Sequence, residues 1–235
     1  MAVFVAKDSA VYVGKLDLST FLNQGTLDYS VEEVDNTTFQ SGTRTAAGGL
    51  EVVSLSADGF VDHAEPDAQL HTDVGVADRL VTVCPEDAAD NTRAFFFQSL
   101  GASLNRSATL GDMYAFSLQA SGRGTPLVAG RVLLPKQSVS GIVTGAGRQL
   151  GAVSATQKLY TAIHVFTAGT TADVIVESDD NTDFTSATTR SSTTVTAVGG
   201  TWVAPVSGAI TDDWWRVRTA SVTGTFSIAV AVGIV

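Results

Sequence analysis

The chain has 235 residues, 44% hydrophobic and 16% charged, with a formal net charge of -10. That is enough apolar content for one large or two small packed domains, and too few charges for a disordered chain. The acid disfavours tight nucleic-acid binding, which needs clustered Lys and Arg to neutralise phosphates, and the single cysteine excludes an internal disulfide.

The abundance of Val, Thr, Ala and Gly with scattered aromatics favours strands over helices. Alternation begins at Val3-Phe4-Val5 and Ala10-Val11-Tyr12-Val13, broken by polar residues 7–9, and predicts a hairpin or a bent strand. Asp17 and Ser19 are placed to cap one helical turn over residues 20–23, ended by Gly25. A strand follows over residues 26–34. Its alternation sets Leu27, Tyr29, Val31 and Glu33 on one face and Asp28, Ser30, Glu32 and Val34 on the other. Residues 36–49 are too polar to bury and too long for a tight turn, so a contact loop is expected there.

Further strands are predicted over 50–61 and 79–84, with a short helix after Pro66 between them. Cys84 ends an apolar run and is expected in the core. Residues 93–100 and 113–120 read as an antiparallel pair, and 124–135 closes the unit. Residues 1–135 carry 8 Lys/Arg against 17 Asp/Glu, so most of the acid belongs to this part. Gly141, Gly145, Gly147 and Gly151 make residues 139–152 the expected linker between a domain over 1–138 and one over 153–235. Six strands at sandwich spacing are predicted in the second: 158–166, 172–178, 193–197, 201–205, 214–219 and 226–232.

Chemistry is hard to place on this chain. His63, His71 and His164 lack metal-ligand spacing. Asp179-x-Asn181-x-Asp183 starts like a calcium loop, but Phe184 stands where glycine belongs and Arg190 where glutamate belongs, so a hairpin tip is expected. Gly145-Ala146-Gly147 is too sparse to cradle a phosphate. The pairs Glu32-Glu33 and Asp179-Asp180 point to opposite strand faces, which does not suit shared acid and base work. No catalytic, metal or cofactor site is expected. Trp202, Trp214, Trp215 and Tyr160 are either core or an aromatic platform for a sugar, with Asp212 and Asp213 beside them. Trp202 and Trp215 are the candidate glycan or contact residues.

Three groups of residues carry a resemblance. Val13-Gly14-Lys15-Leu16-Asp17-Leu18-Ser19 is followed by the acidic strand, then Asp35-Asn36-Thr37-Thr38-Phe39, Gly42-Thr43-Arg44 and Gly48-Gly49-Leu50. This order resembles the opening of major tail tube proteins of long-tailed, siphovirus-type bacteriophages, and the turn from Gly124 through Leu127-Val128 to Gly130 resembles the same pattern. Tyr160-x-x-x-His164, Glu177-Ser178-Asp179-Asp180 before Asp183-Phe184, and Trp214-Trp215-Arg216-Val217 resemble the β-sandwich module appended to many phage tail proteins.

The resemblance implies an all-β chain: a tail-tube-type β-sandwich or barrel with one or two short helices, then a second β-sandwich. It implies a structural virion protein and no enzyme, forming stacked hexameric rings through which DNA passes without specific binding. Asp28, Glu32, Glu33 and Asp35 would supply channel charge, and the loop with Thr37, Thr38, Phe39, Thr43 and Arg44 would reach a neighbouring subunit. Copies of itself, a tape-measure protein and tail terminator or tip proteins are the implied partners, with synthesis in the host cytoplasm. Membrane insertion is not expected, since no stretch nears the roughly 18 to 20 apolar residues of a spanning helix. A capsid decoration protein and a carbohydrate-binding module are the alternative readings.

Overall fold

The computed structural model describes residues 8–40, 42–61 and 66–235. The strands, in chain order, are β1 (Ala10–Val13), β2 (Leu16–Asp17), β3 (Leu22–Asp35), β4 (Ala46–Phe60), β5 (Arg79–Cys84), β6 (Arg93–Ser107), β7 (Ala115–Gly122) and β8 (Val128–Val139). They continue as β9 (Arg148–Gln149), β10 (Lys158–Thr167), β11 (Thr171–Asp179), β12 (Thr188–Val195), β13 (Gly199–Ser207), β14 (Trp214–Thr223) and β15 (Phe226–Ile234). Helix α1 (Pro66–Asp73) falls between β4 and β5. Among the described residues the protein is all-β apart from this helix. Five of the six strands expected over 158–234 form near their predicted places; the sixth, expected over 193–197, runs instead over Thr188–Val195 as β12.

Contacts divide the chain into two compact units. Unit 1 comprises Met1–Thr20, Arg79–Gln98 and Val128–Val235; unit 2 comprises Phe21–Asp78 and Ser99–Leu127.

In unit 1 one sheet runs β13-β10-β15-β8-β6-β5-β1-β2 and a second runs β12-β11-β14-β9. Leu133, Ile163 and Val230 from the first share a core with Val174, Trp215 and Val217 from the second, the facing-sheet arrangement of a sandwich. The first sheet is also buried on its other face, where Tyr12, Leu80, Phe96, Ala162 and Ala231 cluster. This accounts for the nearly unbroken burial along β10 and β15.

Residues 139–152, expected to link two domains, lie inside unit 1. Val139 and Val153 belong to the same core, and the Gly145 amide donates to the Val217 carbonyl at 2.8 Å. The glycines serve close approach here. A Cβ on Gly145 would stand 2.7 Å from the Leu133 carbonyl oxygen, and one on Gly147 would strike the Phe184 ring.

Unit 2 is a four-stranded antiparallel sheet in the order β3-β4-β7-β6, with residues 99–107 of β6 taking part. Leu55, Ala57, Leu118 and Ala120 bury one face, together with Leu70 of α1. Arg106 Nε donates to Asp67 Oδ1 at 2.6 Å and ties the helix to β6.

The helical turn predicted over 20–23 is a plain turn, and β3 starts at Leu22. Asp17 does act as a cap, but on the turn: its Oδ1 accepts from the Ser19 amide at 3.1 Å. Val3-Phe4-Val5 and His63 lie outside the described residues.

Candidate functional site

Unit 2 projects a two-stranded arm. β4 pairs with β7 only from Ser54 onward, so residues 46–53 are held by β3 alone. Burial alternates residue by residue from Val53 to Gly59 and is absent from 46 to 52. The sequence alternation of β3 is therefore only partly covered over most of the arm: Tyr29, Val31 and Val34 are about half exposed, and Leu50 is 75% exposed. Among the described residues no strand pairs with the outer edge of β3. At the strand rise of about 3.3 Å per residue, residues 28–35 span about 25 Å.

The Asp-Asn-Thr-Thr-Phe motif fixes the end of the arm. Asp35 Oδ1 accepts from the Thr37 amide at 2.9 Å, and Thr37 Oγ1 both donates to the Thr45 carbonyl and accepts from the Thr45 amide. These bonds from Thr37 hold the Asp35 carboxyl below the usual carboxylate range, with Arg44 adding to the effect. The loop thus shrinks from the expected 36–49 to 36–45, because β4 begins at Ala46. Phe39 sits at its tip with its whole side chain in solvent.

The structure brings part of the predicted charge set together. Arg44 Nε stands 3.4 Å from Asp35 Oδ2, and Arg44 Nη2 stands 4.0 Å from Glu33 Oε2. All three side chains are well exposed, so these pairs contribute little to folding. A register shift between Val31 and Glu33 separates them from Asp28 and Glu32, which are also exposed. Thr38 and Thr43 line the exposed loop.

No family model and no curated protein matches the sequence. Among solved structures, a chain in the virion of a native gene transfer agent particle is 20% identical, with a TM-score of 0.42 over 52% of this chain and 96% of that one. The Dit protein of phage SPP1, described as a hub of the adsorption apparatus, is 10% identical, with a TM-score of 0.41 over 97% of this chain and 99% of that one. A chain in the sheath–tube complex of the extracellular contractile injection system PVC is 12% identical, with a TM-score of 0.40 over 55% of this chain and 93% of that one.

The aromatic platform does not form. Trp215 is fully buried in the core between the two sheets of unit 1, and its Nε1 donates to the Gly151 carbonyl at 2.8 Å. Trp202 is half-buried on the other core face, against Phe96 and Tyr160. The acids beside them are engaged as well: Asp212 Oδ2 accepts from Ser178 and Arg190, and Asp213 Oδ2 accepts from Gln149. Asp179 accepts from the Asn181 and Ser186 amides and closes the turn over 180–187. His164 is a core residue, with both ring nitrogens hydrogen-bonded. His71 sits in the last turn of α1.

Two features escaped sequence reasoning. Glu177 is 5% exposed and ion-paired to both Arg216 and Arg218, at 2.7 and 2.8 Å. The Arg-x-Arg alternation on β14 was its only trace. The other is a groove of about 410 Å³ in unit 1, lined by Arg93, Phe95, Arg131, Gln149, Leu150 and Ile234 among others. Its residues come from four separate strands and the chain just after β9, so no local pattern marks it.

Proposed function

We propose that the chain is a structural subunit of a phage tail, assembling with copies of itself into stacked hexameric rings that form the tail tube. The observation that carries this reading is the free outer edge of β3 with the acidic arm it helps to build. A strand of 14 residues whose outer edge pairs with no strand among the described residues is a template for pairing with another chain. Head-to-tail pairing of one copy's sheet with the next closes into a ring when the rotation closes. The opening motifs, shared with tail tube proteins by resemblance, favour the same reading.

In such a ring Asp28, Glu32, Glu33 and Asp35 line or rim the channel. Their charge repels phosphates, so DNA passes without lodging. The loop with Thr37, Thr38, Phe39, Thr43 and Arg44 contacts an adjacent subunit or ring. Tape-measure and terminator or tip proteins would meet the tube's interior and its ends.

Negative-stain electron microscopy of the purified chain over a range of concentrations tests this. Rings or hollow tubes are expected. A chain that stays monomeric at every concentration and decorates preformed capsids would replace the tube reading with the decoration reading.

A further inference from the structure

We infer that the groove lined by Arg93 and Arg131 receives the acidic arm of a second copy, with Phe39 and its apolar neighbours entering the cleft. The inference deepens the self-assembly reading and rests on it.

Charge is the first argument. The chain carries 24 acids against 14 bases, yet the groove's lining has two arginines and no acid. Glu86 meets Arg93 at 3.7 Å and leaves the guanidinium side chain 64% exposed. Arg131 donates from Nη1 to the Asn91 carbonyl and is otherwise turned to solvent. The arm has the opposite balance: residues 28–53 carry Asp28, Glu32, Glu33, Asp35 and Glu51 against Arg44 alone. Complementary charge of this kind steers encounter and fixes register.

Apolar surface is the second argument. Phe39, Leu50 and Val34 are exposed on the arm, and a two-stranded ribbon is marginal in water unless its apolar face is covered. The groove offers Phe95, Leu150 and Ile234 between its cations. Its volume of about 410 Å³ falls within the range of clefts that bury a ligand of several side chains, about 300 to 1,000 Å³. An aromatic anchor in such a cleft, rimmed by arginine, is the usual composition of an interface centre.

The test uses full-length variants that each gain one exposed cysteine, with the native Cys84 buried and left in place. Phe39→Cys is mixed with Gln149→Cys and treated with a short thiol crosslinker. The control is Ile142→Cys, also exposed in unit 1. Expected is a mixed dimer from the groove variant and little from the control; equal yields, or none from the groove variant, overturn the inference.

A second arm keeps the question open to refutation if the cysteines perturb docking. Arg93→Glu with Arg131→Glu should weaken association by about tenfold or more, since like charges then face each other. Adding Glu32→Lys and Glu33→Lys to that variant should restore it. Undiminished association of the arginine variant, or loss without rescue, rejects the pairing. Rings without the crosslink reject the groove and keep the tube; the crosslink without rings keeps the groove and rejects the tube.

Discussion

His164 Nδ1 donates a hydrogen bond to the Gly14 carbonyl oxygen at 2.8 Å, joining residues 150 positions apart. A carbonyl can only accept, so Nδ1 carries the proton, and Nε2 is left to accept from the Thr82 hydroxyl at 2.7 Å. The ring is fully buried beside Tyr12 and Phe166. Burial drives its pKa down to about 4, against weaker upward pulls from the Gly14 carbonyl and Asp17.

This sets a pH window. The unfolded chain protonates at the ordinary value of 6.5, whereas the folded ring resists until about 4. The contribution to stability is therefore complete above 6.5 and is lost as pH falls toward 4, by up to about 3 kcal/mol. Urea midpoints should fall across that interval in the native chain. In His164→Gln that part of the slope should vanish, leaving only the loss at lower pH from carboxylates such as Asp17 and Asp212.

Glu177 gives a different kind of test. Burial pushes its carboxyl up, but the hydrogen bonds and charges of Arg218 and Arg216 outweigh that and hold it below the usual range. Glu177→Ala strands two guanidinium groups that are only 21% and 28% exposed. A loss of about 3 kcal/mol is expected, read from chemical denaturation. Glu177→Ala combined with Arg216→Met should recover part of it.

Arg44→Glu separates folding from assembly. Its ion pairs with Asp35 and Glu33 are exposed, so the melting temperature should hardly change, by less than about 0.5 kcal/mol in stability terms. Sedimentation should nevertheless show a monomer where the native chain forms rings. Normal tubes from this variant would remove the loop from the interface.

Reversal of a channel acid should change how the tube treats DNA. Asp28→Lys, which spares the Glu32 and Glu33 side chains assigned to the groove, leaves a folded subunit because its side chain is exposed. Tubes of this variant should retain labelled DNA at low salt and release it as salt rises, whereas native tubes retain none.

Most strands from 158 to 234 were legible because apolar runs, alternating in β11 and β14 and nearly continuous in β10 and β15, are punctuated by Gly, Asp and Asn turns. The arm was half legible. Its strand was evident from Leu27, Tyr29 and Val31, but a period-2 pattern cannot say how far the apolar face is covered, and here Tyr29 and Val31 stay about half exposed. The same ambiguity misplaced Trp215: alternation put Trp214 and Trp215 on opposite faces, and only the pairing of β14 with β11 decides which one faces the core. Gly145 and Gly147 read as linker because sequence does not distinguish a glycine needed for flexibility from one needed where backbones and rings crowd. The two units were not legible at all, since the pairing of β6 with β8 joins residues more than thirty positions apart.

The position of β15 makes the core of unit 1 depend on its last strand. It lies between β10 and β8 at the middle of the larger sheet of unit 1, yet it follows every other strand in chain order. Until β15 inserts, β8 and β10 face each other across a gap and the core around Phe226, Ile228 and Val230 is missing. The groove, whose wall includes Ile234, is missing with it. One strand thus completes both the core of unit 1 and the wall of its groove, so neither can be altered by truncating β15 without the other.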